Sequence, residues 1–141
     1  MKRSASAVWK GSLKAGSGTL TAPGGALRET EYSFGSRFAS GAGTNPEELI
    51  AAAHAGCFAM ALSAALGEAG FTPERIDATA EVTFDNVPPK GWTITASNLA
   101  LQAKVPGIDA ATFSEIAAKA KANCPVSRVL NATITLDAKL A

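Results

Sequence analysis

The stretch TNPEELIAAAHAGCFAMALSAALGEAG, residues 44–70, decides how the chain is read. Asn45 can cap a helix with its side-chain oxygen, and Pro46 suits a first helical position because no amide bond is lost there. Glu48 stands three residues after Asn45, the spacing of a capping box, and Glu47 and Glu48 both favour the positive end of the helix dipole. Alanine, leucine and methionine propagate the helix, and Gly67 and Gly70 end it, which predicts a helix over about 46–68. It is apolar almost all round, so every face needs a cover. A small domain supplies that poorly alone, which first points to a dimer. The length approaches a membrane span. Its alanine content, His54, Ser63 and the flanking glutamates instead favour a buried helix of a soluble protein.

Outward from this helix the pattern is mixed. Toward the N-terminus, ASAVWKGSLK and GTLT read as strands, 26–34 (ALRETEYSF) alternates as a half-exposed strand, and 35–43 reads as a loop. Toward the C-terminus, 77–86 and 92–105 alternate on either side of VPPKG and read as an antiparallel pair. Asp109 caps a second helix with the apolar stripe Phe113, Ile116, Ala117 and Ala120. Pro125 starts a short third helix in CPVSRVL, and 131–140 closes as a strand. Strands, helix, two strands, helices, strand is an α+β order. The expectation is one domain over 1–141: N-terminal strands in 1–43, the central helix, and C-terminal strands and helices in 77–141.

The chain has 141 residues, 47% hydrophobic and 18% charged, with a net charge of +1. That is an ordinary globular balance, long enough to bury a core without disulfide or metal. Nothing in it points to nucleic acid or a membrane surface. The start has no apolar run behind its basic residues and does not read as a signal peptide. Two cysteines are too few for a secreted scaffold, so the expected compartment is the reducing cytoplasm.

Those cysteines carry the candidate chemistry. Cys124 precedes Pro125 at a helix start, where the dipole favours its thiolate. Cys57 lies about three turns into its helix, beyond that influence, and needs a cation from elsewhere if it is reactive. Either thiol could equally be a small buried hydrophobe. A metal is disfavoured, because one histidine and two cysteines fall short of a four-ligand zinc set. His54 reads as a core or interface histidine with satisfied hydrogen bonds. The glycine clusters lack phosphate-loop spacing.

Together, TNPEELIAAAHAGCFAMALS, GEAGF, GSRF and VPGIDAATFSEIAAKAKANCPVSRVL resemble the OsmC/Ohr family of bacterial thiol peroxidases, and HAGCF resembles its OsmC branch. The resemblance spans essentially the whole chain. It implies an α+β OsmC-like fold, with antiparallel sheets packed on a long central helix in an intertwined homodimer. It implies reduction of organic hydroperoxides, and more weakly hydrogen peroxide, without metal or other cofactor, recycled by an external thiol or dithiol, in defence against oxidative and osmotic stress. By motif, Cys57 matches the peroxidatic cysteine and Cys124 the resolving one. Arg37 matches the arginine supporting the thiolate, and Glu47 its acidic partner, with Glu48 a less certain neighbour. Glu47 and Cys57 are ten residues, about 15 Å, apart along one predicted helix. Glu47 and Arg37 are therefore expected to serve Cys57 of the other subunit. Two alternatives stay open: a non-peroxidase dimer that senses redox state or binds an apolar ligand, and an interaction domain with inert thiols.

Overall fold

The predicted central helix is present in the computed structural model, which describes all residues 1–141, and runs from Pro46 to Glu68. Its start is fixed as the sequence requires: Asn45 Oδ1 accepts the Glu48 amide at 2.8 Å, the forward arm of the expected capping box. Its end is a Schellman motif. Gly70 takes φ +87°, its amide donates to the Gly67 carbonyl at 3.0 Å, and the Phe71 amide donates to the Leu66 carbonyl at 2.9 Å. Only a glycine adopts that φ without strain.

In chain order the elements are β1 (Ser6–Lys10), β2 (Ser17–Thr21), β3 (Thr30–Ser33), α1 (Phe34–Phe38), α2 (Pro46–Glu68), β4 (Arg75–Val87), β5 (Gly91–Lys104), α3 (Ala110–Asn123), α4 (Pro125–Val129) and β6 (Thr133–Leu140). The chain divides into two compact units, Met1–Leu49 and Ile50–Ala141.

The N-terminal unit is an antiparallel sheet in the order β1-β2-β3. Two expectations are corrected in it. The strand expected over 26–34 is confined to β3, because Glu29 sits at φ +49° and the Leu27 carbonyl turns back to the Ala22 amide at 2.9 Å. The loop expected over 35–43 begins as helix α1. Ser33 and Ser36 cap it reciprocally, each hydroxyl accepting the other's amide, at 3.1 Å and 2.9 Å. Two serines exchanging local bonds leave no hydrophobic period to read.

The C-terminal unit is a three-stranded sheet in the order β4-β5-β6. β4 and β5 pair antiparallel, as expected, with an irregularity at Thr83/Phe84. β6, however, runs parallel to β5, so this sheet is mixed rather than antiparallel. Parallel pairing needs a long crossover, and α3 and α4 supply it. The core follows from the periods of its walls. α2 buries His54, Phe58, Leu62 and Leu66 at four-residue intervals, β5 buries Ser97, Leu99, Leu101 and Ala103 at two-residue intervals, and α3 adds Phe113, Ala117 and Ala120. Asp109 caps α3 as expected, accepting the Thr112 amide at 2.9 Å. By length and composition α2 would also pass for a membrane span, with a mean hydropathy of 1.8. Its inward stripe is nonetheless part of this core.

Candidate active site

Cys57 sits mid-helix on α2, beside the core residue Phe58, and Cys124 is the residue that ends α3 and starts α4. The crossover brings them together: the two Sγ atoms are 3.2 Å apart, across 67 positions of sequence, and both thiols are free. They differ in access. Cys57 is half-buried, whereas Cys124 has no exposed surface.

They also differ electrostatically. Burial pushes the Cys57 thiol up, and the neighbouring Cys124 sulfur adds to the rise against one hydrogen bond from the Val126 amide. Burial acts on Cys124 in the same direction. There it is outweighed by hydrogen bonds from the Ser127 and Val126 amides, the Cys57 thiol and the Ser127 hydroxyl, and the Cys124 thiol is held below its ordinary value. Within this unit burial thus opposes ionisation of the accessible sulfur.

His54, one turn before Cys57, is fully buried with both ring nitrogens engaged: Nδ1 lies 2.7 Å from Ser97 Oγ and Nε2 2.7 Å from Ser127 Oγ. Burial lowers its pKa and keeps the ring neutral. This is the satisfied core histidine expected from sequence. Its two serine partners were not expected. The one available signal was a hydroxyl three residues after Cys124, in the first turn of a helix.

In the N-terminal unit, Arg37 lies in the last turn of α1 and Glu47 in the first turn of α2. Arg37 Nη2 donates to Glu47 Oε1 at 2.8 Å, and Nε lies 3.2 Å and 3.3 Å from the two carboxylate oxygens. This two-nitrogen grip fixes the guanidinium plane. The pairing is assembled by the capped ends on either side. Asn45, which caps α2, also donates to the Ser36 carbonyl at 3.1 Å, tying α1 to the start of α2. Arg37 further lies over the Phe38 ring, 5.5 Å from its centroid. Beside it Trp9, Leu13, Tyr32 and Phe34 line an apolar cleft of about 260 Å³. No group of three or more His, Cys, Asp or Glu side chains is placed to share a metal ion. The structure thus assembles the four expected residues as two pairs, Cys57 with Cys124 and Arg37 with Glu47.

Comparison with known proteins gives the chain its family. The family model described as OsmC-like protein matches residues 39–139. The chain is 56% identical over 134 residues to the peroxiredoxin OsmC of Escherichia coli (strain K12), covering 95% of this chain and 93% of that one. It is 32% identical over 108 residues to an organic hydroperoxide resistance protein of Xanthomonas axonopodis pv. citri (strain 306), covering 73% and 70%. In fold it is similar to the crystal structure of the organic hydroperoxide resistance protein OhrB of Bacillus subtilis, with a TM-score of 0.70 at 22% identity over 98% of each chain. An OsmC-like protein of unknown function from Vibrio cholerae shares the fold with a TM-score of 0.77 at 15% identity, over 98% of this chain and 99% of that one. The chain belongs to the OsmC family, and it is a thiol-dependent peroxidase of the peroxiredoxin kind.

Proposed function

We propose that this enzyme reduces organic hydroperoxides, and hydrogen peroxide more weakly, with Cys57 as the attacking thiolate and Cys124 as the resolving thiol. The observation that carries the reading is the pair of free sulfurs 3.2 Å apart, one reachable from solvent and one enclosed. The Cys57 thiolate attacks the distal peroxide oxygen. The O–O bond breaks, the alkoxide takes a proton and leaves as the alcohol, and Cys57 becomes a sulfenic acid, oxidised by two electrons. Cys124 sulfur then attacks Cys57 Sγ, the S–O bond breaks, hydroxide leaves as water, and a disulfide remains. An external thiol or dithiol attacks Cys57 and expels Cys124, whose lowered pKa makes it the better leaving group.

The first step needs a cation near Cys57 to offset its burial. Arg37 is the candidate, already oriented by Glu47 and set beside an apolar cleft that suits the alkyl part of a hydroperoxide. α2 is unbroken, so Glu47 and Cys57 stand about 15 Å apart along its axis. The Arg37–Glu47 pair of one chain therefore serves Cys57 of a second copy, in a homodimer with two interface sites. A cycle that external thiols drive suits a reducing cytoplasm.

The test is peroxide consumption with cumene hydroperoxide and a dithiol, with disulfide mapping by mass spectrometry. Wild type forms the Cys57–Cys124 bond. Cys57→Ser abolishes turnover, and Cys124→Ser retains one round of peroxide reduction but no disulfide. Mixing Cys57→Ser chains with Arg37→Ala chains restores activity if sites are shared across subunits. Failure of the mixture to regain activity, with heterodimers demonstrated, sinks the shared-site arrangement.

A further inference from the structure

The residue three before Cys57 and the residue three after Cys124 also meet. His54 Nε2 lies 2.7 Å from Ser127 Oγ, as Cys57 Sγ lies 3.2 Å from Cys124 Sγ. One turn back along α2 from Cys57 thus matches one turn forward into α4 from Cys124. The two contacts are rungs of one ladder between α2 and the α3–α4 junction, spaced by about 4.5 Å of helix rise. One rung can become covalent. The other is a hydrogen bond between groups that the proposed chemistry leaves unchanged.

His54 and Ser97 are fully enclosed, and Ser97 Oγ on β5 holds Nδ1 at 2.7 Å. The ring is therefore fixed from the sheet behind it and grips α4 in front. A leucine would fill an enclosed site without the desolvation of two ring nitrogens, a penalty that only the bonds of the histidine offset. The rung holds in either tautomer of the neutral ring, because a serine hydroxyl both donates and accepts. α4 has little else to hold it. It spans five residues, buries none of them, and leaves Val129 77% exposed. Val126 is the one side chain it packs on the core, and Ser127–His54 is its one side-chain hydrogen bond to another element. On the other side Cys124 is held by α3, its amide donating to the Ala120 carbonyl at 2.9 Å.

We propose that His54 is a positioning residue for the resolving cysteine: clamped by Ser97 and bonded to Ser127, it keeps α4, and with it Cys124, in register with Cys57 while the disulfide is open. The proposal rests on the roles given to the two cysteines above. Its consequence falls on the second half of the cycle. Once Cys57 is a sulfenic acid, two reactions compete. In one, the Cys124 sulfur attacks Cys57 Sγ, the S–O bond breaks, and hydroxide leaves as water with the Cys124 proton. In the other, the Cys57 sulfenate attacks the distal oxygen of a second hydroperoxide and the O–O bond breaks. The alkoxide then takes a proton and leaves as the alcohol, and Cys57 becomes a sulfinic acid, oxidised by two further electrons. The first reaction is intramolecular, so its rate follows the effective concentration of Cys124 at Cys57. The His54–Ser127 rung raises that concentration and leaves the initial attack on peroxide alone.

The test compares full-chain wild type, Ser127→Ala and Ser127→Thr, with both cysteines present. Stopped-flow oxidation by cumene hydroperoxide separates the attack on peroxide from disulfide formation, and mass spectrometry measures sulfinic acid at Cys57. Ser127→Ala should slow disulfide formation about three- to tenfold, the equivalent of one net hydrogen bond, with the attack on peroxide unchanged. The ratio of sulfinic acid to disulfide should rise by the same factor, and Ser127→Thr, which keeps the hydroxyl, should restore both. Equilibration with oxidised glutathione reads the same clamp without peroxide: the effective concentration of the thiol pair should fall about three- to tenfold in Ser127→Ala. His54→Leu should match Ser127→Ala, and the double variant should be no slower than either. If His54→Leu fails to fold, the two Ser127 variants decide. The clamp is overturned if Ser127→Ala forms the disulfide at the wild-type rate, if it slows both steps alike, if threonine fails to restore the rate, or if the glutathione equilibrium does not move. A wild type that forms no disulfide with peroxide, alongside the glutathione shift in Ser127→Ala, would count against the proposed cysteine roles alone.

Discussion

The two units of this chain are built on opposite principles. From Ile50 onward the molecule has an apolar interior: all of its fully buried hydrophobic residues lie between Phe58 and Cys124. The N-terminal unit encloses only Ser36 and Asn45 among side chains of any polarity, and leaves Val8 half-exposed and Leu13 more so. It is held by sheet pairing, serine caps and one ion pair. The thiols belong to the unit that can bury them, and the permanent charge to the unit that cannot. The proposed mechanism draws on both, so under it the division of labour would also call for assembly. A unit with so little interior presents its aromatic cleft and its guanidinium as surfaces to be covered, in keeping with the proposed homodimer.

The comparison can be broken most directly through Arg37. Replacing it with alanine should slow the reaction of Cys57 with hydroperoxide by about a hundredfold, the scale for removing one charged group from a developing anion. The thermal transition should hardly change, because the Arg37–Glu47 pair is partly exposed. Stopped-flow oxidation and calorimetry of one variant read both. A lysine there should recover only part of the rate, since it cannot hold the carboxylate with two nitrogens and still present another.

Core substitutions sharpen the contrast. Leu62→Ala, fully buried on α2, should destabilise by about 2–5 kcal/mol in urea unfolding. Val8→Ala, on an edge strand of the N-terminal sheet, should stay within about 0.5 kcal/mol in a single chain. A larger loss that fades on dilution would show that a second copy covers Val8.

A last expected effect concerns pH. His54 is depressed by burial, so the unfolded chain binds its proton at a higher pH than the folded one. Stability from this group is therefore complete above the ordinary histidine value of about 6.5 and declines as pH falls below it, by at most about 1.4 kcal/mol per pH unit. Urea midpoints across pH 5 to 8 should show this slope in wild type and not in His54→Gln.

How much of this was legible beforehand depended on the kind of information involved. The bounds of α2 were readable because Asn45-Pro46 and Gly70 mark them with residues chosen for backbone reasons, and the Asp109 cap of α3 was readable in the same way. Helix α1 was not, because its caps are two serines inside a glycine-rich run. The direction of β6 was not, since alternation looks the same in parallel and antiparallel strands, and only the crossover through α3 and α4 decides it. The site divides along the same line. The cysteines stood out by rarity, and Arg37 and Glu47 by motif. Ser97 and Ser127 are ordinary residues, 43 and 73 positions from His54, and only tertiary structure gives them meaning.

The crossover that brings Cys124 to Cys57 also gives the proposed disulfide a consequence for stability. A bond between them would close a loop of about 67 residues, which embraces half of α2, β4, β5 and α3. Chain-entropy arguments assign such a loop about 4 kcal/mol against the unfolded state. Each turn of the proposed cycle would thus raise and lower the stability of the C-terminal unit, and the melting temperature of a sample would serve as a gauge of how much peroxide it has lately met.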